Sequence, residues 1–216
     1  MKKRIYIVGG NGFARECYCY LQDINELNSE VEFAGFLGHG GYGHTVDYLD
    51  LQKYYMGEVA EHKFLKNEYA VIGAGYPKLR EKIYNDLKKL NINFYTLVSK
   101  NAAVNENIQL GEGNIFINTK IQTHNVKISN GNLFNGEVVI GHDAEVGDFN
   151  FFGPRSQLLG GVKVGNSNTI GANAILLPAA KIGDNNKISP LSTIYKGCKN
   201  NCYMHGNPAI KIGSAE

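Results

Sequence analysis

A chain of 216 residues, 43% of them hydrophobic, can bury a core and is long enough for one large domain or two small ones. Twenty-two basic and 20 acidic side chains leave a formal charge of +2, with no clustered Lys/Arg stripe of the kind that binds nucleic acid or a membrane surface. The expected partners are therefore a small molecule and other copies of the chain. Met1-Lys2-Lys3-Arg4 precedes only a short apolar run, Ile5 to Val8, too brief for a signal peptide core or a membrane span, so a cytoplasmic location is expected. Four cysteines (Cys17, Cys19, Cys198, Cys202) in a chain of this size read as reduced thiols and not as a disulfide framework.

The first hundred residues alternate strand-like apolar runs with helical patterns. Arg4 to Val8 reads as a strand and Gly12 to about Asn25 as a helix. Val31 to Leu37 and Ala70 to Gly73 read as further strands, Pro77 to Leu90 as a second helix, and Asn93 to Val98 as a last strand. In the second helix Pro77 suits a first turn, and Leu79, Ile83, Leu87 and Leu90 return on one face, which predicts packing on a parallel sheet. Between the strand and helix patterns, Gly38 to His62 reads as a loop, either a passive one or a lid.

Beyond Val98 the helical period gives way to a repeat of six. Counting from Val104 to Ile194, fifteen of sixteen sixth positions are apolar, Gln122 being the exception, where a local distortion or a polar interior contact is expected. Glycine follows at 111, 141, 147, 153, 165, 171 and 183, as a chain that turns a corner after each short strand requires. A longer period of 18 is also present: Asn114, Asn132, Asn150, Asn168 and Asn186 form one column, and Phe116, Phe134, Phe152, Ile170 and Ile188 another. Three six-residue faces make one triangular coil, so residues from about 104 to the mid-190s are expected to form a left-handed parallel β-helix. Its Phe/Ile column should stack inside one face, with the Asn column at a corner as a hydrogen-bonded ladder. The whole then reads as an α/β N-terminal Rossmann-like domain (1–98) followed by a left-handed parallel β-helix (99–216). Its exposed apolar faces favour a homo-oligomer.

Six segments carry a resemblance over nearly the whole chain: IYIVGGNGFARE (5–16), GYPKLREKIY (75–84), VIGHDAEVGDF (139–149), GPRSQLLGGVKVG (153–165), IGANAILLP (170–178) and GNPAIKI (206–212). In this order and spacing the chain resembles the hexapeptide-repeat sugar acetyltransferases, the family of sialic acid O-acetyltransferases and UDP-4-amino-sugar N-acetyltransferases. The resemblance implies an acetyl-CoA-dependent enzyme that acetylates the amine of a nucleotide-linked amino sugar in surface glycan or glycoprotein synthesis. It also implies a homotrimer with no metal.

His142-Asp143 stands at the family's catalytic pair. A histidine titrates near pH 6.5 when unperturbed, which suits a general base worth about 10² to 10⁴ in rate, and an adjacent carboxylate orients the ring. His124, one 18-residue coil earlier, is a decoy at the same offset. The resemblance gives Gly160 the role of oxyanion donor through its backbone N–H, and places Asn135 near the catalytic histidine. It assigns Phe151, Ala172 and Pro190 to acetyl-CoA binding, and puts the terminal GNPA segment near the adenine. Pro190 has no N–H and could offer only its carbonyl.

The GGNGFA turn suits phosphate, since glycines admit close approach and helix N-terminal amides attract anions. Read from Gly10, however, the third small residue of a dinucleotide fingerprint would fall on Arg15. By resemblance Asn11, Gly12 and Phe13, with Gly73 and Gly75, hold the nucleotide of the substrate. Three positions depart from the family pattern: Phe13 for a histidine, Gly38-His39 for an acidic pair near the nucleoside, and Phe151 for a second histidine.

Three other readings remain. One is an O-acetyltransferase on a sialic-acid-like sugar. Another is a zinc carbonic anhydrase, which would need a third histidine beside His124 and His142 where Phe151 stands. The last is a degenerate, non-catalytic β-helix binding protein. Cys198, Cys202 and His205 lack a convincing fourth zinc ligand and are expected in a terminal loop.

Overall fold

In the computed structural model, residues 2–28, 30–41, 49–121 and 123–215 are described; Gln122 and part of the predicted loop lie outside them. The chain divides into two compact units, residues 1–75 with 79–100, and residues 76–78 with 101–216.

The first unit is built on a parallel sheet. Its elements in chain order are β1 (Lys3–Val8), α1 (Gly12–Leu27), β2 (Val31–Gly38), a 3-10 turn (Leu49–Tyr54), β3 (Tyr55–Glu58), β4 (Glu68–Ile72), α2 (Pro77–Lys89) and β5 (Asn93–Phe94). The strands lie in the order β3-β2-β1-β4-β5, all parallel. Apolar runs buried on both faces are what a parallel sheet between helices demands, and Ile5, Ile7, Val8, Val71 and Ile72 are almost wholly buried. Ile83 and Leu87 of α2 pack on Val8, Leu37, Ile72 and Phe94, as their spacing predicts.

Two expectations need correction here. The segment read as a loop supplies β3, whose strand character its Tyr-Met-Gly-Glu sequence barely advertises. The strand expected over 93–98 is two short ones, Asn93–Phe94 and Leu97–Val98.

The second unit is a three-sided parallel β-helix of two-residue strands. Most strands pair with the one 18 residues on, as in Lys127↔Glu145, Val139↔Gln157 and Leu133↔Phe151, but Lys120–Ile121 is out of phase by one residue, with Ile121 opposite Val104 and Lys120 opposite Val139. The six-residue spacing fits the left-handed form. Phe116, Phe134 and Phe152 stack face to face, with centroids 4.8 and 4.7 Å apart and rings tilted by only 4° and 3°. The Asn column is a buried ladder: each Oδ1 accepts the backbone N–H and Nδ2 of the next Asn at 2.8 to 3.1 Å, from Asn114 to Asn186. A second, outer ladder that the sequence did not suggest runs through Asn130, Asp148, Asn166 and Asp184.

The corners work differently from the expectation. Left-handed backbone falls at every sixth residue from Glu137 to Leu191, on side chains as bulky as Phe149 and Arg155, with Gly161 alone among them a glycine. The recurrent glycines serve close approach between coils. A Cβ at Gly153 would sit 2.7 Å from the Ala172 nitrogen, and one at Gly141 would sit 2.9 Å from the Gly160 nitrogen.

The helix also runs past the mid-190s. Gly197–Cys198 and Cys202–Gly206 form a last coil shortened by two residues, because Ile182 pairs with Cys198 and Ile188 with Met204. Cys198, Cys202 and His205 therefore lie in strands and not in a terminal loop. An antiparallel strand, Ala209–Ser214, closes the end. All four cysteines are free, and no cluster of three metal-ligating side chains occurs among the described residues. No helix among them is long and apolar enough to cross a membrane.

Candidate active site

Each coil turns a corner after Val139–Ile140, or its equivalent strand, and His142 stands at one such corner with its side chain 70% exposed. Its Nδ1 is 2.7 Å from Asp143 Oδ2. With the carboxylate as acceptor, Nδ1 carries the proton and Nε2 presents its lone pair. Asp143 occupies the left-handed region at φ 58°, a conformation that Asp tolerates better than most residues. Its other oxygen, Oδ1, accepts a 2.6 Å bond from Asn125 Nδ2, one coil earlier. The bonds from His142 and then Asn125 hold the Asp143 carboxyl below the ordinary aspartate range, so it stays ionised and continues to orient the ring.

Gly160 is the residue one coil after His142, and the imidazole lies directly over it. A Cβ there would fall 2.5 Å from Nε2 and 2.6 Å from Cε1. The ring occupies the volume that a side chain at 160 would need. The Gly160 carbonyl accepts from Ala179 N–H, while its own N–H has no acceptor among the described residues. That leaves a backbone donor beside the imidazole, of the kind that stabilises an oxyanion.

Asn135 lies at the preceding corner, across the strand Val139–Ile140 from His142, so within one chain the two do not meet. Between those corners is a recess of about 610 Å³ lined by Asn118, Lys120, Glu137, Val139, Arg155 and Gln157. A 2.7 Å Arg155–Glu137 ion pair stands at its rim. Phe151 is half-buried on a strand, between Leu133 and Thr169 of the neighbouring coils. Ala172 and Pro190 form the column that follows Pro154. The Ala172 carbonyl accepts from Leu191 N–H, and its N–H, like that of Gly160, has no acceptor among the described residues. His124 is exposed one coil before His142, with its carbonyl 3.4 Å from Asp143 N.

A second cluster belongs to the first unit. The chain leaves β1 toward β2 on one side and returns through β4 on the other. The loops after β1 and β4 thus diverge at the sheet's switch point, where parallel sheets bind ligands. Gly9 holds φ 127°, and a Cβ there would approach Gly73 O to 3.2 Å. Gly73 in turn packs on Ala14 and Ile7, with hypothetical Cβ distances of 2.7 and 2.9 Å.

Asn11 is the N-cap of the 16-residue α1, which has no acidic residue in its first turn, so the helix end attracts anions without competition. Asn11 and Gly12 are exposed, Phe13 is half-buried and Gly75 partly exposed. Sequence reasoning missed Arg80, fully buried, whose guanidinium donates 2.8 Å bonds to the carbonyls of Ile72 and Ala74 and so fixes the loop after β4. Burial lowers its pKa to about 10, still far above neutrality. The signal in the sequence was an arginine on the apolar side of an otherwise amphipathic helix.

A model of the bacterial transferase hexapeptide family (six repeats) matches residues 161–196. The acetyltransferase domain of PglB from Neisseria gonorrhoeae, solved with acetyl coenzyme A, superposes with a TM-score of 0.85 at 15% identity, over 98% of this chain and 100% of that one. PerB from Caulobacter crescentus, a perosamine N-acetyltransferase solved with CoA and GDP-perosamine, superposes at 0.84 and 21% identity, covering 97% of each chain. The chain has the fold of these acetyltransferases. WeeI from Acinetobacter baumannii shares it too, at 0.82 and 20% identity over 96% of this chain and 99% of that one. No curated protein sequence matches.

Proposed function

We propose that the protein transfers the acetyl group of acetyl-CoA to the amine of a nucleotide-linked amino sugar. The observation that carries this reading is the imidazole of His142, held through Nδ1 by Asp143 and seated on Gly160 beside a free backbone N–H. His142 Nε2 takes the proton from the amine as its nitrogen attacks the thioester carbonyl. The Gly160 N–H stabilises the oxyanion, and collapse expels the CoA thiolate, which receives the proton back from the imidazolium. No acyl-enzyme is required. The thioester supplies the activated acetyl group, and the unbonded N–H of Ala172 with the carbonyl of Pro190 would hold the pantetheine arm.

The glycine turns Gly9 to Gly12 and Gly73 to Gly75 would hold the nucleotide. The complexes of the structural neighbours with acetyl-CoA and with GDP-perosamine support this class of donor and acceptor. A cytoplasmic homotrimer fits the same reading, with Val139 and Leu191 as exposed apolar side chains available to an interface; light scattering of the purified protein tests it.

The decisive assay follows CoA release with acetyl-CoA and a panel of UDP-, GDP- and dTDP-linked amino sugars, for the wild type and His142→Ala. Turnover with an amino sugar, lost in the variant, is expected. Turnover only with hydroxyl acceptors would shift the reading to O-acetylation, no turnover with either would end the enzyme reading, and full activity of His142→Ala would end only the assignment of the base.

A further inference from the structure

In parallel sheets that bind NAD at the switch point, a carboxylate after the second strand accepts from the ribose hydroxyl. Here that strand, β2, ends in Gly38 and His39, which bring no carboxylate. His39 is buried and turned toward α2, with Nε2 3.4 Å from Asp86 Oδ2. The neighbouring strand supplies what is missing. Gly38 pairs in register with Glu58, the last residue of β3, and Glu58 Oε1 occupies the space that a side chain at position 38 would fill. The carboxylate is held there: Oε2 accepts from Gly40 N–H at 3.2 Å, and Oε1 from the Tyr55 hydroxyl at 3.2 Å.

We propose that Glu58 is the ribose-reading carboxylate of this protein, reaching over a side-chain-free Gly38, and that it selects ribonucleoside over 2′-deoxyribonucleoside diphosphates. The proposal rests on the reading of the first unit as a nucleotide site. It accounts for the glycine at position 38: any side chain there would displace the carboxylate. The backbone at Gly38 lies outside the left-handed region, so aspartate is conformationally acceptable there once Glu58 is shortened.

The test is calorimetric titration of the full chain with UDP, GDP and their 2′-deoxy counterparts. The wild type should prefer the ribo form of whichever base it binds by about tenfold or more, the scale of a hydrogen bond to a charged group. Glu58→Ala and the isosteric Glu58→Gln should flatten that ratio, and Gly38→Asp combined with Glu58→Ala should restore it. Restoration by a carboxylate from the adjacent strand is not expected if Glu58 merely props the loop. Equal binding of ribo and deoxy forms by the wild type, or a ratio that survives Glu58→Ala, overturns the role of Glu58 and leaves the acetyltransferase reading standing. If none of the four nucleotides binds, the nucleotide site and this inference fall together.

Discussion

Substituting alanine at Gly160 isolates one contact. The new methyl would lie 2.5 Å from His142 Nε2, while ordinary contact needs about 3.5 Å, so the imidazole must retreat by about 1 Å. The ring is a side chain that is 70% exposed and free to swing outward, and Gly160 lies outside the left-handed region. The fold therefore loses little, and the melting temperature should stay within about 2 °C of wild type. Catalysis has no such freedom, because a 1 Å misplacement of a reacting group costs about 10² in rate. Swinging outward also breaks the 2.7 Å bond to Asp143.

Alanine retains the backbone N–H, so the loss would not come from the oxyanion donor. Initial rates of CoA release should show kcat/KM about 10²-fold lower. In the background of His142→Ala the same substitution should add almost nothing, since both changes act through one imidazole. Wild-type activity in Gly160→Ala, or a full independent loss on top of His142→Ala, would refute the view that Gly160 is kept small to seat the ring.

Two predictions concern stability. Asn150→Ala removes the buried amide that bonds Asn132, Asn168 and the Gly165 carbonyl. It should cost about 2 to 4 kcal/mol in denaturant unfolding, whereas Asn166→Ala in the exposed outer ladder should cost clearly less. Glu68 is buried. That burial alone would raise its carboxyl pKa, but the Leu65 N–H, His62 and Arg4 outweigh it, and the net value lies below the ordinary 4.5. A depressed folded-state pKa contributes stability that is complete above the unfolded value and is lost as pH falls through the folded one. The wild-type melting temperature should thus decline below about pH 4.5, and Glu68→Gln should flatten that decline; an identical acid profile would show that the network is not linked to folding.

Much of the β-helix was legible because its physics is periodic. A side chain that must point inward every sixth residue, and stack on its like every eighteenth, writes itself into the sequence as Phe116, Phe134 and Phe152. The last coil was not legible in the same way, because shortening it by two residues moves Cys198 and Met204 out of phase with the count. β3 was missed for another reason: a four-residue edge strand containing Gly57 has no alternation to detect. Arg80 and Glu58 were missed because their roles depend on which strands are neighbours. Strand order is set by packing, whereas Gly9 and Gly73 are visible as glycines wherever they lie.

The same periodicity also separates His142 from its decoy. A corner side chain on one coil lies against the residue 18 positions later, so the space available to a ring is written one coil ahead. His142 has Gly160 there, and the imidazole can lie flat against bare backbone. For His124 the corresponding residue is His142 itself. The supporting carboxylate obeys the same offset, since Asn125 reaches Asp143 across 18 residues, while the residue after His124 is that same Asn125 and brings no carboxylate. His124 thus has neither the seat nor the acidic partner of a general base, and contributes only a backbone carbonyl toward Asp143. His124→Ala should therefore hold kcat/KM within about twofold of wild type, against a loss of about 10² to 10⁴ for His142→Ala. Equal losses in the two variants would mean that the offset does not decide which histidine works.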